Sequence, residues 1–194
     1  MLRTRFPLRT ERLTLRPYTP GDLDDLHAIQ SLPEVARYLY WEARSLDEVR
    51  RVLTDKCRQV DLAKEGDRLS LAVYWPEAGK VVGEVSLVWL SEIHRQGEIG
   101  FVFHPHYHGK GLAREASEAL LDIGFSDLGL HRVIGRCDAR NGASARLLQR
   151  LGMRQEAHFL ENEIFKGAFG DELVYAMLES EWQSRQDDTA AQPS

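Results

Sequence analysis

Apolar and polar positions alternate near the start of the chain, which is the pattern of a half-buried β-strand. Leu13 and Leu15 alternate with threonine and arginine within residues 12–18, and Pro20-Gly21 marks the turn after this strand. Similar signals predict further strands at residues 69–75, 81–90, 97–103, 131–137, 154–165 and 172–178. The sequence therefore predicts about seven strands, of which the second and third form a hairpin.

Apolar positions spaced three or four residues apart predict helices between these strands. Two helices are expected to begin at Asp22 and at Pro33. Three more are expected over residues 46–63, 112–129 and 142–151. Strands and helices in this order indicate an α/β (α+β) chain. Because no repeat or linker divides it, residues 1–183 are expected to form a single domain, and the polar residues 184–194 a flexible C-terminal tail.

Composition excludes several classes of protein. The 194 residues carry a net charge of -5, which argues against a nucleic-acid partner because phosphate binding needs a basic surface. The longest apolar run covers residues 71–75, so no segment is expected to span a membrane. Cys57 and Cys137 are far apart and follow no metal-binding spacing. A reducing, cytoplasmic location is therefore predicted.

The most informative segment is an apolar strand followed by a proline, a glycine-rich loop and a helix. An anion is expected to bind to backbone N–H groups that precede or begin this helix. These groups belong to Gly109, Lys110, Gly111, Leu112 and Ala113. The loop is not a Walker A motif, because Gly111 follows the lysine. It also departs from the dinucleotide fingerprint, which requires a small residue where Arg114 stands.

The neighbours of this loop resemble the GNAT acetyltransferases. Residues 108–113, His-Gly-Lys-Gly-Leu-Ala, resemble the Q/R-x-x-G-x-G/A loop that binds the coenzyme A pyrophosphate in that family, with His108 in place of Gln or Arg. The segment from Asn141 to Met153 is similar to the family's N-x-x-[AS] helix. Thr10-Glu-Arg-Leu-Thr-Leu-Arg-Pro17 resembles the opening strand of the Rim-type ribosomal-protein N-acetyltransferases. The resemblance covers the chain from about residue 8 to residue 178.

This resemblance implies a GNAT fold, with a mixed, mostly antiparallel central sheet, a splayed parallel pair of strands and flanking helices. Acetyl-CoA would bind between the strands at residues 98–103 and 131–137, and no metal is required. The residues that the resemblance assigns to acetyl-CoA are Phe101, Val102, Phe103, His108, Gly109, Lys110, Gly111, Leu112, Ala113, Arg114 and Asn141.

The resemblance also implies direct transfer of an acetyl group to a primary amine in a ternary complex. An α-amino group is roughly a quarter neutral at pH 7.4, whereas a lysine is only ~0.1% neutral. A carboxylate acting through water would therefore suffice as a base for a protein N-terminus. Glu163 is the preferred base, Glu98 is the second choice, and Glu84 is also a candidate.

Two other positions bear on catalysis and acceptor binding. Many GNAT enzymes place a tyrosine acid where this chain has Leu148, so Ser144 is expected to protonate the leaving thiolate instead. Tyr38, Tyr40 and Trp41 are candidates for the acceptor pocket.

Several alternatives stay open at this point. The acceptor is expected to be a protein N-terminus or a small amine such as an aminoglycoside, polyamine or amino acid. A non-catalytic acyl-CoA sensor and an ATP- or NAD-binding protein are further readings. A metal site at His104, His106 and His108 is disfavoured because no acidic ligand lies nearby in sequence. The oligomeric state is expected to be a monomer or a homodimer.

Overall fold

An eight-stranded sheet forms the centre of the protein, whose computed structural model describes residues 5–190. Residues 1–4 and 191–194 lie outside the described part. The strands are β1 Leu8–Arg9, β2 Thr14–Pro17, β3 Arg68–Trp75, β4 Lys80–Ser91, β5 Gln96–Phe103, β6 Arg132–Asp138, β7 Arg154–Phe165 and β8 Ala168–Leu178. Their order is β1-β2-β3-β4-β5-β6-β8-β7. The strand beyond the predicted seven is the two-residue β1, which pairs with β2.

Among the strands of the described residues only β5 and β6 are parallel, and they pair over a short distance. The paired residues end at Glu98 and Ile134. Beyond this point β5 stays paired with β4 as far as Phe103, while β6 stays paired with β8 as far as Asp138. The two strands therefore separate, and the backbone of β5 beyond Glu98 faces the gap between them. This confirms the predicted mixed sheet with a splayed parallel pair.

Within residues 5–190 six α-helices flank the sheet, and their bounds are α1 Leu23–Gln30, α2 Pro33–Ala36, α3 Leu46–Lys56, α4 Leu112–Asp122, α5 Gly142–Arg150 and α6 Glu179–Ala190. Helix α3 ends before the predicted residue 63. The reason is tertiary, since the Gln59 carbonyl accepts a hydrogen bond from the Ser70 N–H and the Gln59 side chain accepts one from the Ser70 hydroxyl. No helix in the described range is long and apolar enough to cross a bilayer.

Residues 184–190, which belong to the predicted C-terminal tail, continue helix α6. Trp182 anchors this helix, because its side chain is buried and stacks on Phe125 with ring centroids 6.0 Å apart. Ion pairs from Arg154 to Glu181 and from Arg185 to Glu118 add polar contacts. The remaining residues of the predicted tail, 191–194, lie outside the described part.

The two faces of the sheet are covered differently. Helices α4 and α5 pack on a large apolar core, to which β3, β4 and β5 contribute buried leucine, valine and isoleucine side chains. On the opposite face a smaller cluster lies under α1 and α3, formed by Tyr18, Leu26, Val49, Leu53, Ala72 and Val81. Polar side chains of β4, β5 and β6 on this second face border a cavity instead of a core.

Candidate active site

A cavity of about 580 Å³ lies between the second face of the sheet, helix α3 and the segment after α2. Six of the candidate site residues come together in its walls, namely Phe101, Val102, Asn141, Ser144, Glu84 and Glu98. Ile99 and Gly100 on the splayed part of β5 complete this wall. The aromatic side chains predicted to bind the acceptor, Tyr38, Tyr40 and Trp41, line the same cavity.

The glycine-rich loop lies outside this cavity, between β5 and α4. A 3-10 turn at Pro105–Tyr107 leads into it, and Gly111 is the N-cap of α4. Gly109 and Gly111 have φ angles of 77° and 79°, in the left-handed region that favours glycine. A Cβ atom at Gly109 would meet nothing within 4 Å. The loop therefore leaves room for a phosphate group to approach the backbone at the start of α4.

The side chains of the loop have different surroundings. The His108 Nε2 atom is 3.2 Å from the Phe103 carbonyl oxygen, so the ring is hydrogen-bonded to the last residue of β5. Leu112 is buried in the core, which leaves only its backbone N–H for a ligand. Arg114 donates a hydrogen bond to Glu118 on the same helix. Lys110 is the exposed cation of the loop, with its Nζ atom 5.9 Å from the centre of the Trp75 ring.

Contacts from the start of the chain hold this loop, and the sequence analysis missed them. The Arg12 guanidinium donates a hydrogen bond to the Lys110 carbonyl at 2.9 Å and forms an ion pair with Glu115 at 2.8 Å. Thr10 donates to the same carboxylate. Thr10 and Arg12 belong to the opening motif, but no local signal links them to a helix about 100 residues later.

Asn141 and Ser144 begin helix α5 at the cavity wall. The Asn141 side-chain oxygen caps the helix by accepting a hydrogen bond from the Ser144 N–H at 3.1 Å. Leu148, one turn further along, is buried and packs on Gly135 of β6, where an added Cβ would lie 2.5 Å from a leucine methyl group. Ser144 is thus the hydroxyl that this helix presents to the cavity wall.

The three candidate glutamates differ in their partners. Both Glu98 oxygens accept hydrogen bonds from Arg136, at 3.1 and 2.9 Å. Both Glu84 oxygens are also engaged, by the Lys56 ammonium and the Tyr18 hydroxyl. Glu163 accepts a hydrogen bond from the Tyr40 hydroxyl at one oxygen. Glu163 therefore has the least occupied carboxylate of the three.

Glu163 is not among the residues that line the cavity, but it is hydrogen-bonded to Tyr40, which does line it. Its hydrogen bond to Tyr40, with burial as the second cause, raises the pKa of the Tyr40 hydroxyl to about 12. The phenol therefore stays protonated near neutral pH. Tyr40 also packs edge-to-face on Phe165, with ring centroids 5.5 Å apart. Lys166, in the turn between β7 and β8, donates hydrogen bonds to the carbonyls of Ala36 and Trp41, which ties the hairpin to the aromatic segment.

Cys137 lines the cavity and is partly buried. Burial, with the nearby Asp138 and Glu172 charges, raises the pKa of its thiol to about 11. The thiol is therefore protonated at neutral pH. Cys57 is also a free thiol. The His104 ring accepts a hydrogen bond from the His106 N–H, and residues 5–190 contain no cluster of three or more potential metal ligands.

Comparison with known proteins identifies the fold and the family. Residues 12–154 match the family described as Acetyltransferase (GNAT) domain, which is more than half of the chain. The chain belongs to the GNAT acetyltransferase family. The splayed strands and the glycine loop at the start of α4 are therefore features of a GNAT enzyme, and the family uses acetyl-CoA. The sensor and nucleotide-binding alternatives receive no support from these matches.

Several relatives are N-acetyltransferases by name. Uncharacterized N-acetyltransferase p20 of Bacillus licheniformis is 30% identical over 175 residues, which cover 90% of this chain and 97% of that protein. A GNAT-family acetyltransferase structure from Bacillus anthracis superposes with a TM-score of 0.79 at 29% identity, covering 90% of this chain and 99% of that one. The match to Uncharacterized N-acetyltransferase YnaD of Bacillus subtilis is 46% identical but spans only 44% of this chain and half of that protein.

The names of other relatives point to different acceptors. Spermidine N(1)-acetyltransferase of Vibrio cholerae is 26% identical over 90% of this chain and 97% of its own length. Putative ribosomal N-acetyltransferase YdaF of Bacillus subtilis is 25% identical over 89% of this chain and 94% of its own length. These identities are similar, so the comparisons establish N-acetyltransferase chemistry without choosing the acceptor.

Proposed function

We propose that the protein transfers an acetyl group from acetyl-CoA to the α-amino group of a peptide or protein in a ternary complex. When bound, acetyl-CoA supplies the acetyl group as a thioester, whose C–S bond is replaced by an amide N–C bond as one proton leaves the amine and one reaches the thiol. The protein must hold the thioester beside the amine and manage both protons. The Rim-type assignment and a cytoplasmic location are part of this proposal.

The residues present fit the coenzyme. Backbone N–H groups from Gly109 to Ala113 would bind its pyrophosphate, since the two left-handed glycines leave the main chain open to approach. The Lys110 ammonium would add a positive charge there. The backbone of Phe101, Val102 and Phe103 would pair with the pantetheine in the gap left by β6. Asn141 would contact it from the other side of the gap.

The charged residues that line the cavity favour a peptide over a polyamine as the acceptor. Its lining contains four acidic residues and four basic ones, and Glu84, Glu98 and Asp138 are each ion-paired. Arg44 and Arg68 have no carboxylate of residues 5–190 within 4 Å and hydrogen-bond instead to Gln30 and Ser86. A polyamine needs an excess of acidic groups, whereas a peptide brings carbonyl or carboxylate oxygens for these arginines.

The proton transfers are assigned to Glu163 and Ser144. Glu163 would accept the amine proton through water, since one of its oxygens is held by Tyr40 and the other is available. Tyr40 is a positioning residue in this scheme, because it lines the cavity and holds the Glu163 carboxylate by a hydrogen bond. The Ser144 hydroxyl would protonate the departing thiolate at the start of α5. Glu98 stays the second choice for the base, because its ion pair with Arg136 occupies both oxygens.

Acetylation of a small polyamine is the second candidate. The observation in its favour is the similarity to spermidine acetyltransferases, which extends over almost the whole of both chains. The balanced charge of the cavity argues against it. Glu163 and Glu172, on the hairpin beside the cavity, are the acidic groups that a polyamine would use. The pKa of Glu172 is raised, mainly by burial and also by the nearby charge of Glu163.

Coenzyme binding is tested first, by thermal unfolding with acetyl-CoA, coenzyme A, ATP and NAD at equal excess. A ligand at about 100 times its Kd adds ~2.7 kcal/mol, which should raise Tm by ~5–11 °C for a chain of this size. We expect this shift with the two coenzyme A compounds only. A larger shift with ATP or NAD, or no shift with coenzyme A, would contradict the proposal.

The acceptor is tested by thiol release with three amines at pH 7.4: a peptide with a free N-terminus, the same peptide with a blocked N-terminus and an internal lysine, and spermidine. We expect the free peptide to react ~100-fold faster than the blocked one, because its amine is about 200 times more often neutral. Arg44→Gln should slow a peptide with an acidic second residue more than one with a neutral residue. Faster turnover of spermidine would favour the second candidate.

A further inference from the structure

The start of the chain is tied to the glycine loop by a compact polar cluster. It consists of Thr10, Arg12, Glu115 and the Lys110 carbonyl group. Glu115 lies in the first turn of α4, and its side chain is only 15% exposed. Its carboxylate accepts hydrogen bonds from the Thr10 hydroxyl at 2.5 Å and from the Arg12 backbone N–H and side-chain Nε, both at 2.8 Å. These hydrogen bonds to Glu115 constrain the Arg12 side chain.

Held in this way, Arg12 reaches the loop itself. Its Nη1 atom donates to the Lys110 carbonyl oxygen at 2.9 Å. In a planar trans peptide the C=O and the following N–H point in opposite directions. Because Arg12 holds the Lys110 carbonyl on its own side, the Gly111 N–H must point to the other side. Glycine on both sides of Lys110 would otherwise allow this peptide to rotate at little cost.

Arg12 also neutralises the Glu115 carboxylate, whose negative charge would oppose anion binding at the start of α4. The N-terminus of α4 attracts anions, and a carboxylate in its first turn competes with any phosphate bound there. Burial alone would raise the pKa of Glu115, but the hydrogen bonds from Thr10 and Arg12 outweigh burial and lower it. Glu115 is therefore ionised at neutral pH. Its charge is compensated by the guanidinium at 2.8 Å.

We propose that Arg12 is a positioning residue for coenzyme A, which directs the Gly111 N–H toward the pyrophosphate and neutralises Glu115 beside it. This inference rests on the proposed function, because it takes the glycine loop as the pyrophosphate site. Arg12 itself need not touch the coenzyme. Glu115 and Thr10 serve to orient Arg12.

The experiment measures the Kd of coenzyme A by calorimetry for the full chain and its variants. Arg12→Ala should weaken binding about tenfold, since a charge-assisted hydrogen bond is lost and a carboxylate is left unpaired near the anion. Adding Glu115→Gln to Arg12→Ala should recover about threefold of this loss, because the unpaired charge is removed. A purely structural role for Arg12 would not predict recovery when a second partner is removed.

Arg16→Ala is the matched control. This substitution removes a comparable ion pair between Arg16, on β2, and Asp22. The N and O atoms of that pair are 2.7 Å apart. The substitution should lower Tm while leaving the Kd of coenzyme A within about twofold, because this pair lies away from the loop. If Arg12→Ala does not fold, Arg12→Lys replaces it. Lysine keeps the charge but lacks the fork that reaches both partners, so about threefold weaker binding is expected.

The outcomes separate the two proposals. If the unmodified protein does not bind coenzyme A, the proposed function fails. If it binds and a folded Arg12→Ala or Arg12→Lys variant binds equally well, the positioning role is wrong while the proposed function stands. Failure of Glu115→Gln to recover affinity in the Arg12→Ala background would overturn the electrostatic part of the inference.

Discussion

Substitution of Gly111 by aspartate tests the assignment of the pyrophosphate loop most directly. Gly111 has a φ of 79° and caps α4, so any side chain there stands at the start of the helix where the anion would bind. A Cβ atom would lie 3.3 Å from an Arg12 guanidinium nitrogen, so the Arg12 side chain, which is hydrogen-bonded to Glu115 and Lys110, must shift by a few tenths of an ångström. Gly111→Asp therefore adds a carboxylate to the loop without a backbone clash.

The expected effects on stability and binding can be separated. A non-glycine residue in the left-handed region costs about 1 kcal/mol, which lowers Tm by ~2–4 °C in a chain of this length. Two like charges about 5 Å apart repel each other by ~0.8 kcal/mol in water and ~3 kcal/mol at an effective dielectric constant of 20, which sets the scale for a carboxylate beside a pyrophosphate. Allowing for salt screening, a total of about 2 kcal/mol corresponds to a Kd about 30-fold higher.

Calorimetric titration with coenzyme A at low and high salt measures the binding loss, which should shrink as salt rises. Gly129→Asp is the matched control, because Gly129 has a φ of 68° and nothing lies within 4 Å of its added Cβ. It should lose similar stability and keep its affinity. A folded Gly111→Asp variant that binds coenzyme A as tightly as the control would refute the loop assignment.

Three further substitutions test the catalytic assignments and the packing behind them. Glu163→Gln should lower the rate more at pH 6.5 than at pH 9, where amines are already more often neutral; a loss independent of pH would assign Glu163 to packing. Ser144→Ala should reduce kcat about tenfold with the Kd of coenzyme A unchanged, and an unchanged kcat would exclude it as the acid. Gly135→Ala should destabilise the fold by ~1–3 kcal/mol in urea unfolding, because its Cβ would lie 2.5 Å from a Leu148 methyl group; unaltered stability would mean that α5 shifts freely.

Some expectations failed where distant residues decide local structure. The polar composition after residue 184 predicts a tail, yet these residues continue α6 to Ala190, in the helix whose Trp182 packs on Phe125. Helix α3 stops at Lys56 although its pattern continues, because hydrogen bonds from Ser70 draw Gln59 toward the sheet. In both regions the deciding partner is too far along the chain to leave a local signal.

The parts of the candidate site that form from consecutive residues were predictable from the sequence, whereas the contacts between distant residues were not. The glycine loop and the Asn141 cap form from consecutive residues, so their sequence pattern was sufficient to locate them. Glu163 could be named from the resemblance, but its contact with Tyr40, 123 positions away, could not. The same holds for Arg12 and Glu115, since nothing in either segment specifies the other.

The sequence by itself determined seven strands, the starts of helices α1 to α5, the family and the position of the glycine loop, because alternation, helical spacing and glycine placement act over a few residues. Tertiary structure alone decided which charges are neutralised. It paired Glu98 with Arg136 and Glu84 with Lys56, and it left Arg44 without a carboxylate partner among the described residues. The physical reason is that Coulomb and hydrogen-bond energies depend on distance in space, which only the packing of the sheet and helices sets.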